Sequence, residues 1–258
     1  MQTQAHKITL GTKEWADSNI NCYYGCSNDC LYCYAKKMAI RFKRKTEDTW
    51  KIMIPNHNNI DKDYRKRKGR IMFPTSHDIT IESLDNCLKI LNKLFLAKNN
   101  VLITTKPNYD CVRKLCITFK KYIDLIQFRF TITSINDDIL NFWEPGAPKF
   151  EDRFESLKFA FYKGYKTSIS IEPFLDLNPF ILVDKILPYV TESIWIGKMN
   201  YYNLSRSVES SNYFLDLIRK NSRKKNLLGI IKESKINYNG IIRIKDSIYN
   251  FVNSKHVN

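Results

Sequence analysis

The sequence has 258 residues, 43% of them hydrophobic, which is enough to build one well-packed α/β barrel. Its 42 Lys and Arg residues outnumber 26 Asp and Glu residues, so the formal charge is +16. Such a charge favours a polyanionic partner or an anionic substrate, although AT-rich coding sequences also enrich Lys.

The N-terminus MQTQAHKITLGTKEW is polar and lacks the apolar core of a signal peptide. No window reaches the roughly 18 apolar residues of a spanning helix, so we expect a cytoplasmic protein without membrane contact. Seven cysteines, an odd number in a reducing compartment, argue against a disulfide framework and favour metal, redox or core roles.

Short runs rich in Ile, Val, Phe and Thr predict buried strands. They lie near Ser18 to Tyr23 and at Arg70 to Phe73, Val101 to Thr105, Ile126 to Ser134, Lys166 to Ile171 and Ser193 to Gly197. Helical patterns separate them, with apolar stripes on Ile81, Leu84, Leu88, Leu91 and Phe95, on Phe150, Phe154, Leu157 and Phe161, and on Phe180, Val183, Ile186 and Leu187.

Strands that alternate with helices indicate a parallel sheet with right-handed crossovers. About six βα units predict a partial (βα)6 TIM-like barrel with parallel strands better than a closed eight-stranded one. We expect residues 1–200 to form this core and residues 201–258 to form a C-terminal extension that packs on the same domain. The Ile-rich segment GIIRIKDSIYNF of that extension either closes the barrel or covers its mouth.

The segment NCYYGCSNDCLYC, residues 21–33, contains four of the seven cysteines. Cys26, Cys30 and Cys33 have the spacing C-x3-C-x2-C, and Cys22 lies four residues upstream. Such close spacing lets one loop place several thiolates around an iron–sulfur cluster. Structural zinc usually takes two separated pairs. Zinc remains the alternative, because the motif needs its predicted context in the fold.

The stretch CSNDCLYC resembles the cluster motif of the radical S-adenosylmethionine (radical SAM) enzymes, including the aromatic Tyr32 before the last cysteine. The resemblance implies that Cys26, Cys30 and Cys33 bind three irons of a [4Fe–4S] cluster and that S-adenosylmethionine chelates the fourth. It also implies an external electron donor of the flavodoxin or ferredoxin type. Cys22 is then spare, and we expect it to be a half-buried strand residue.

Residues 130–173 are similar to the fourth-strand and fifth-strand region of the spore photoproduct lyase-like group. This resemblance implies cofactor contacts for Ser76 in PTSHD, Lys106 in LITTKP and Ser134 in TITS. It also suggests that Arg153 pairs with the methionine carboxylate. The alternative for Arg153 is a helix-surface position beside acidic neighbours.

Other residues at the strand ends have two interpretations each. Glu172 ends a strand, so its carboxylate either contacts the cofactor or substrate or pairs with a Lys or Arg. His77 and Asp78 are candidate proton donors, while Asp78 is equally suited to cap a helix. Three further cysteines lie on apolar helix faces and are expected in the core: Cys87, Cys111 and Cys116.

One departure from the lyase pattern concerns the reaction. The lyase has a cysteine just ahead of its Ser in the second-strand loop, whereas this sequence reads FPTSHD. The resemblance therefore implies radical cleavage of S-adenosylmethionine and hydrogen abstraction, but puts thymine-dimer repair in doubt.

The basic runs KKMAIRFKRK, KDYRKRKGR and RKNSRKK, with interleaved aromatics, favour a nucleic-acid or nucleotide substrate. The rivals are a peptide or small-molecule substrate and a non-catalytic iron–sulfur or zinc protein that binds nucleic acid.

Overall fold

A computed structural model describes residues 11–201, 211–238 and 240–254 of the chain. The nine strands are β1 (Ser18–Asn19), β2 (Tyr23–Tyr24), β3 (Ile54–Pro55), β4 (Arg70–Phe73), β5 (Asn100–Thr105), β6 (Ile126–Thr131), β7 (Lys166–Ile171), β8 (Ile194–Ile196) and β9 (Ile242–Ile244). The ten α-helices are α1 (Tyr34–Arg41), α2 (His57–Ile60), α3 (Leu84–Leu96), α4 (Tyr109–Thr118), α5 (Asp137–Trp143), α6 (Phe150–Tyr162), α7 (Phe180–Ile186), α8 (Ser211–Asn221), α9 (Lys224–Asn237) and α10 (Asp246–Asn253). Both counts refer to the described residues. No helix among them is long and apolar enough to span a bilayer.

Seven strands form one parallel sheet in the order β1-β4-β5-β6-β7-β8-β9. In the described part of the chain the edge strands β1 and β9 do not pair with each other, so the barrel stays open. The prediction of a partial TIM-like barrel with parallel strands is confirmed. β9 adds a seventh strand to the six that the sequence indicated, and it comes from the Ile-rich segment near the C-terminus.

The two faces of the sheet differ in chemistry because side chains alternate along a strand. One face carries buried apolar residues such as Phe128, Phe130 and Ile169, and α6 packs against β6 and β7 on this side. The other face lines the barrel interior with polar groups. There Arg129 donates from Nε to Ser168 Oγ at 3.1 Å. The interior face therefore carries polar groups while the helices cover the apolar face.

Three predicted boundaries were wrong. The first strand ends at Asn19, because the chain then leaves the sheet and pairs Tyr23–Tyr24 antiparallel with Ile54–Pro55. β6 ends at Thr131, three residues earlier than expected. α3 begins at Leu84, so Ile81 precedes the helix and is 69% exposed. The division of the chain at residue 200 stays a prediction.

Candidate metal and cofactor site

The cysteine loop, residues 25–33, follows β2 and leads into α1 at the carboxyl end of the sheet. Cys26 and Cys30 are buried, and Cys33 is the N-cap of α1, where its Sγ accepts from the Lys36 N–H at 3.4 Å. Gly25 adopts a φ of +94°, and a Cβ there would lie 2.5 Å from the Ile52 carbonyl oxygen. Glycine is thus required where the loop passes the backbone of residues 50–52.

The three thiols share one electrostatic environment. Burial raises the pKa of Cys26 to about 12 and also raises the pKa values of Cys30 and Cys33. The sulfurs lie near enough for the charge of one to raise the pKa of another. The ammonium of Lys106 opposes these shifts at all three cysteines. Burial lowers the pKa of Lys106, but Cys30, Glu144 and Asp78 together raise it above its ordinary value. Lys106 therefore lies within electrostatic reach of all three cysteines, and its contact with a cofactor stays a prediction.

The EPGAP loop after α5 packs directly on the cysteine loop. The Leu31 N–H donates to the Trp143 carbonyl at 2.9 Å, and the Gly146 N–H donates to the Asn28 carbonyl at 3.1 Å. A Cβ on Gly146 would lie 2.3 Å from the Ser27 carbonyl oxygen. Two segments more than 100 residues apart in sequence are thereby held in backbone contact.

Glu144 of this loop is a buried carboxylate that the sequence interpretation missed. It accepts hydrogen bonds from the Tyr32 hydroxyl and from Thr133 Oγ1, the latter at 2.7 Å. Its second oxygen lies 2.5 Å from Arg153 Nη2, and both side chains are fully buried. Burial raises the pKa of Glu144, but Arg153, Lys106 and the two hydroxyls lower it below its ordinary value. Tyr32 is thus fixed beside Cys33 by an ionised carboxylate.

Arg153 does not lie on the helix surface, so that alternative was wrong. Its guanidinium also donates from Nε to the Pro148 carbonyl at 2.7 Å. Its direct contact with a cofactor carboxylate stays a prediction. The sequence indicates a role for Glu144 only through its place as the first residue of EPGAP, because its partner Tyr32 is 112 positions away.

Asp78 links three loops. Its carboxylate accepts from Asn28 Nδ2 at 2.9 Å, from the Lys106 N–H at 3.0 Å and from the Ile79 N–H at 2.9 Å, and it also accepts from the Thr105 hydroxyl. These bonds tie the cysteine loop to the ends of β4 and β5. The geometry gives Asp78 a positioning role, which sequence spacing could not distinguish from proton donation.

The remaining predicted site residues lie in different settings. Ser76 is half-buried, and its N–H donates to Asn21 Oδ1 at 2.9 Å. Ser134 is buried and donates to Asp176 Oδ1 at 2.5 Å, so its hydroxyl already has a partner. Glu172 lies 3.7 Å from Lys245 Nζ, as the alternative interpretation expected. Their cofactor contacts stay predictions.

A second group of ligand-type side chains lies beneath the cysteine loop. Cys22 is fully buried and outside any strand, in contrast to the half-buried strand residue expected. Its Sγ lies 3.5 Å from Cys87 Sγ and 3.5 Å from His77 Nε2. The hydrogen bond with Cys87 lowers the pKa of Cys22 to about 6 against the opposing effect of burial, and His77 contributes in the same direction as Cys87. Cys87, Cys111 and Cys116 are buried in helices as predicted.

The basic runs divide into internal and exposed cations. Lys36 is buried between Asp29 and Glu47, at 2.8 and 2.9 Å, and Lys45 donates to the Ile52 carbonyl at 2.9 Å. The exposed members of the first run lie on and just after α1: Lys37, Arg41, Lys43 and Arg44. Those of the middle run precede β4 and so lie toward the opposite end of the sheet: Lys62, Arg65, Lys66 and Lys68.

The geometry defines an open parallel barrel with three cysteines at its carboxyl end, and solved structures share this fold. A spore photoproduct lyase mutant with bound AdoMet and dinucleoside spore photoproduct aligns with a TM-score of 0.55 and 13% identity, over 88% of this chain and 75% of that one. A second lyase mutant gives 0.50 and 16%, over 84% and 64%. SuiB of Streptococcus suis, bound to S-adenosylmethionine, gives 0.50 and 12%, over 88% and 49%. The expected spore photoproduct lyase-like radical SAM fold is confirmed.

Two curated proteins are similar in sequence. An uncharacterized protein of Methanocaldococcus jannaschii is 26% identical over 204 residues, which cover 75% of this chain and 73% of that protein. An uncharacterized protein of Acidianus two-tailed virus is 26% identical over 176 residues, which cover 64% and 57%. The chain spans less than two thirds of the viral protein and of the second lyase chain. No protein-family model matches the sequence.

Proposed function

We propose that this chain is a radical SAM enzyme that binds a [4Fe–4S] cluster through Cys26, Cys30 and Cys33. The observation that carries the proposal is the position of these cysteines: one loop at the carboxyl end of a radical SAM-type barrel, facing Lys106. When bound, the cluster supplies the electron that cleaves S-adenosylmethionine to a 5′-deoxyadenosyl radical for hydrogen abstraction.

The residues present fit such a cluster. Three thiols converge in a buried loop, and a coordinated iron would deprotonate them despite the raised pKa values that burial imposes. Backbone N–H groups at the start of α1 point toward Cys33 Sγ, and hydrogen bonds of this kind tune iron–sulfur centres. Among the described residues, the sulfurs of Cys26, Cys30 and Cys33 do not all lie within 4.8 Å of one another, a spacing that suits a four-iron cluster better than a single ion. The three cysteines would therefore hold three irons of the cluster, and the fourth iron would be left for the cofactor.

The other residues orient the cofactor and keep water out. Lys106 supplies a positive charge beside the cysteines that suits an anionic cofactor group, and Ser76 offers a short hydroxyl on a neighbouring loop. Glu144, held by Arg153, fixes the Tyr32 ring over which Lys106 Nζ lies 5.5 Å from the centroid. These groups would line one side of the S-adenosylmethionine site in fixed positions.

The chemistry is tested by anaerobic reconstitution with iron and sulfide, followed by reductant and S-adenosylmethionine. We expect about four irons per chain and release of 5′-deoxyadenosine. The Cys30→Ala variant should lose both, whereas Cys116→Ala, a matched core cysteine in α4, should retain both. Zinc in place of iron, or iron without cleavage of S-adenosylmethionine, would contradict the proposed enzyme. Either result would favour a non-catalytic iron–sulfur or zinc protein that binds nucleic acid.

A nucleic-acid or nucleotide substrate is the class we propose. Exposed cations and aromatics follow the cysteine loop on and just after α1, where Tyr34 and Phe42 are each 57% exposed. Cations that neutralise phosphates and rings that stack on bases suit single-stranded nucleic acid. The lyase structure with a dinucleoside spore photoproduct supports the same class. The electron for each turnover would come from a flavodoxin or ferredoxin type of donor.

Two charge-matched variants test this substrate class. Replacing Lys37, Arg41, Lys43 and Arg44 by Gln should weaken oligonucleotide binding and flatten its salt dependence, because phosphate contacts release counterions. Replacing Lys62, Arg65, Lys66 and Lys68 by Gln removes the same charge from the other end of the sheet and should change binding little. Equal losses, or no binding at low salt, would favour a peptide or small-molecule substrate.

A further inference from the structure

The second cysteine group has the composition and spacing of a metal site. Cys22 Sγ, His77 Nε2 and Cys87 Sγ all lie within 4.8 Å of one another, and all three residues are buried. Across residues 11–201, 211–238 and 240–254, this is the group of three or more His, Cys, Asp or Glu side chains that meets this spacing. It shares no residue with the cysteine loop.

The distances match the edges of a zinc coordination tetrahedron. Zinc–sulfur bonds of about 2.3 Å and zinc–nitrogen bonds of about 2.0–2.1 Å place sulfurs about 3.8 Å apart and sulfur about 3.6 Å from nitrogen. The Cys22 and Cys87 sulfurs are 3.5 Å apart, and Cys22 Sγ is 3.5 Å from His77 Nε2. An ion can therefore enter with shifts of a few tenths of an ångström along these two edges.

His77 already has the tautomer that a metal ligand needs. Its Nδ1 lies 2.9 Å from the Asp78 carbonyl oxygen, an acceptor, so Nδ1 carries the proton and Nε2 has the lone pair. A histidine ligand typically donates its other ring N–H in this way, which fixes the ring orientation. Nε2 now accepts from the Cys22 N–H at 3.0 Å, and coordination would replace that hydrogen bond.

We propose that Cys22, His77 and Cys87 bind a Zn²⁺ ion at a site separate from the cysteine loop. Two thiolates and an imidazole are ligands that zinc prefers. The ion joins the chain just ahead of the cysteine loop, the loop that carries Ser76, and α3. The ion would thus fix the base of the cysteine loop and the loop that carries Ser76, which are two of the proposed cofactor-binding parts, against α3. This inference does not depend on the proposed radical chemistry.

Metal analysis of the full chain, purified without oxygen, tests the site. We expect about one zinc per chain in addition to iron. The Cys22→Ser, Cys87→Ser double variant should lose the zinc and keep iron. The Cys26→Ala, Cys30→Ala, Cys33→Ala triple variant should lose iron and keep the zinc. The double variant Cys111→Ser, Cys116→Ser removes two buried cysteines elsewhere and should keep both metals.

Zinc that persists in the Cys22→Ser, Cys87→Ser variant, or that disappears with the cysteine-loop variant, would overturn the proposal. A second measurement covers failure of the variants to fold: X-ray absorption at the zinc edge of the unaltered chain. We expect two sulfur ligands and at least one imidazole nitrogen. An all-sulfur shell, or zinc-free protein with a Cys22–Cys87 disulfide in its peptide map, contradicts the site.

Discussion

The Glu144 carboxylate and the Arg153 guanidinium lie 2.5 Å apart in the protein interior, with neither side chain exposed. Glu144 also accepts a hydrogen bond from the Tyr32 hydroxyl. Through this carboxylate the EPGAP loop connects α6 to the cysteine loop. The order of the proposed cluster site therefore depends on an ion pair that touches none of the cysteines.

Removing the charge of Glu144 should destabilise the fold strongly. Glu144→Gln leaves the Arg153 cation buried without its partner, and breaking a buried pair in this way costs about 3–5 kcal/mol of unfolding free energy. Urea denaturation of the metal-free chain measures the loss. The control is Glu151→Gln, at an exposed position of α6, the helix that carries Arg153. This variant should change the unfolding free energy by less than about 0.5 kcal/mol. Similar values for the two variants would contradict the prediction.

The same pair predicts a pH dependence. Arg153 and its other partners lower the pKa of Glu144 below the unfolded value of 4.5. A carboxyl whose pKa is depressed by folding stabilises the protein fully above its unfolded pKa, and this contribution is lost as pH falls through the folded pKa. The stability gap between wild type and Glu144→Gln should therefore be constant above pH 4.5 and shrink below it. A gap that widens with acid would argue against ionised Glu144.

Much of the fold could be predicted from the sequence, because each buried strand is a local apolar run and the strands alternate with amphipathic helices. β9 was harder to assign. Its Ile242 and Ile244 resemble any short apolar stretch, and only pairing with β8 makes them a strand. The early end of β1 also has a non-local cause, since Asn21 turns away to accept the N–H groups of Thr75 and Ser76.

The site was predictable only where its residues are close in sequence. Cys26, Cys30 and Cys33 form a local motif, and Lys106 directly follows a recognisable strand. Glu144 is 112 positions from Tyr32, and Cys87 is 65 positions from Cys22. No periodicity records such contacts, because they depend on how loops from different strand ends meet. The sequence around Cys22 therefore predicts only a strand position, whereas its Sγ lies 3.5 Å from His77 Nε2.

Glycine at position 25 should be required for the cysteine loop. Gly25→Ala places a Cβ 2.5 Å from the Ile52 carbonyl oxygen at a φ of +94°, so it should destabilise the chain by more than about 1 kcal/mol and lower iron incorporation. Gly229→Ala is the control, because α9 leaves open space there and Ala favours helix by up to about 1 kcal/mol. Thermal unfolding and iron content measure both variants. Normal iron content in Gly25→Ala would show that the loop tolerates a side chain.

Asn21 should control the loop that carries Ser76. Its Oδ1 accepts the Thr75 N–H at 2.6 Å and the Ser76 N–H at 2.9 Å. Asn21→Ala removes both bonds, each worth about 1 kcal/mol, so amide exchange across residues 72–80 should accelerate. If Ser76 contacts S-adenosylmethionine, affinity for the cofactor should fall as well. Asn92→Ala, at an exposed position of α3, should alter neither property. Unchanged exchange in Asn21→Ala would mean that other contacts hold the loop, whereas faster exchange with unchanged affinity would remove Ser76 from the cofactor site.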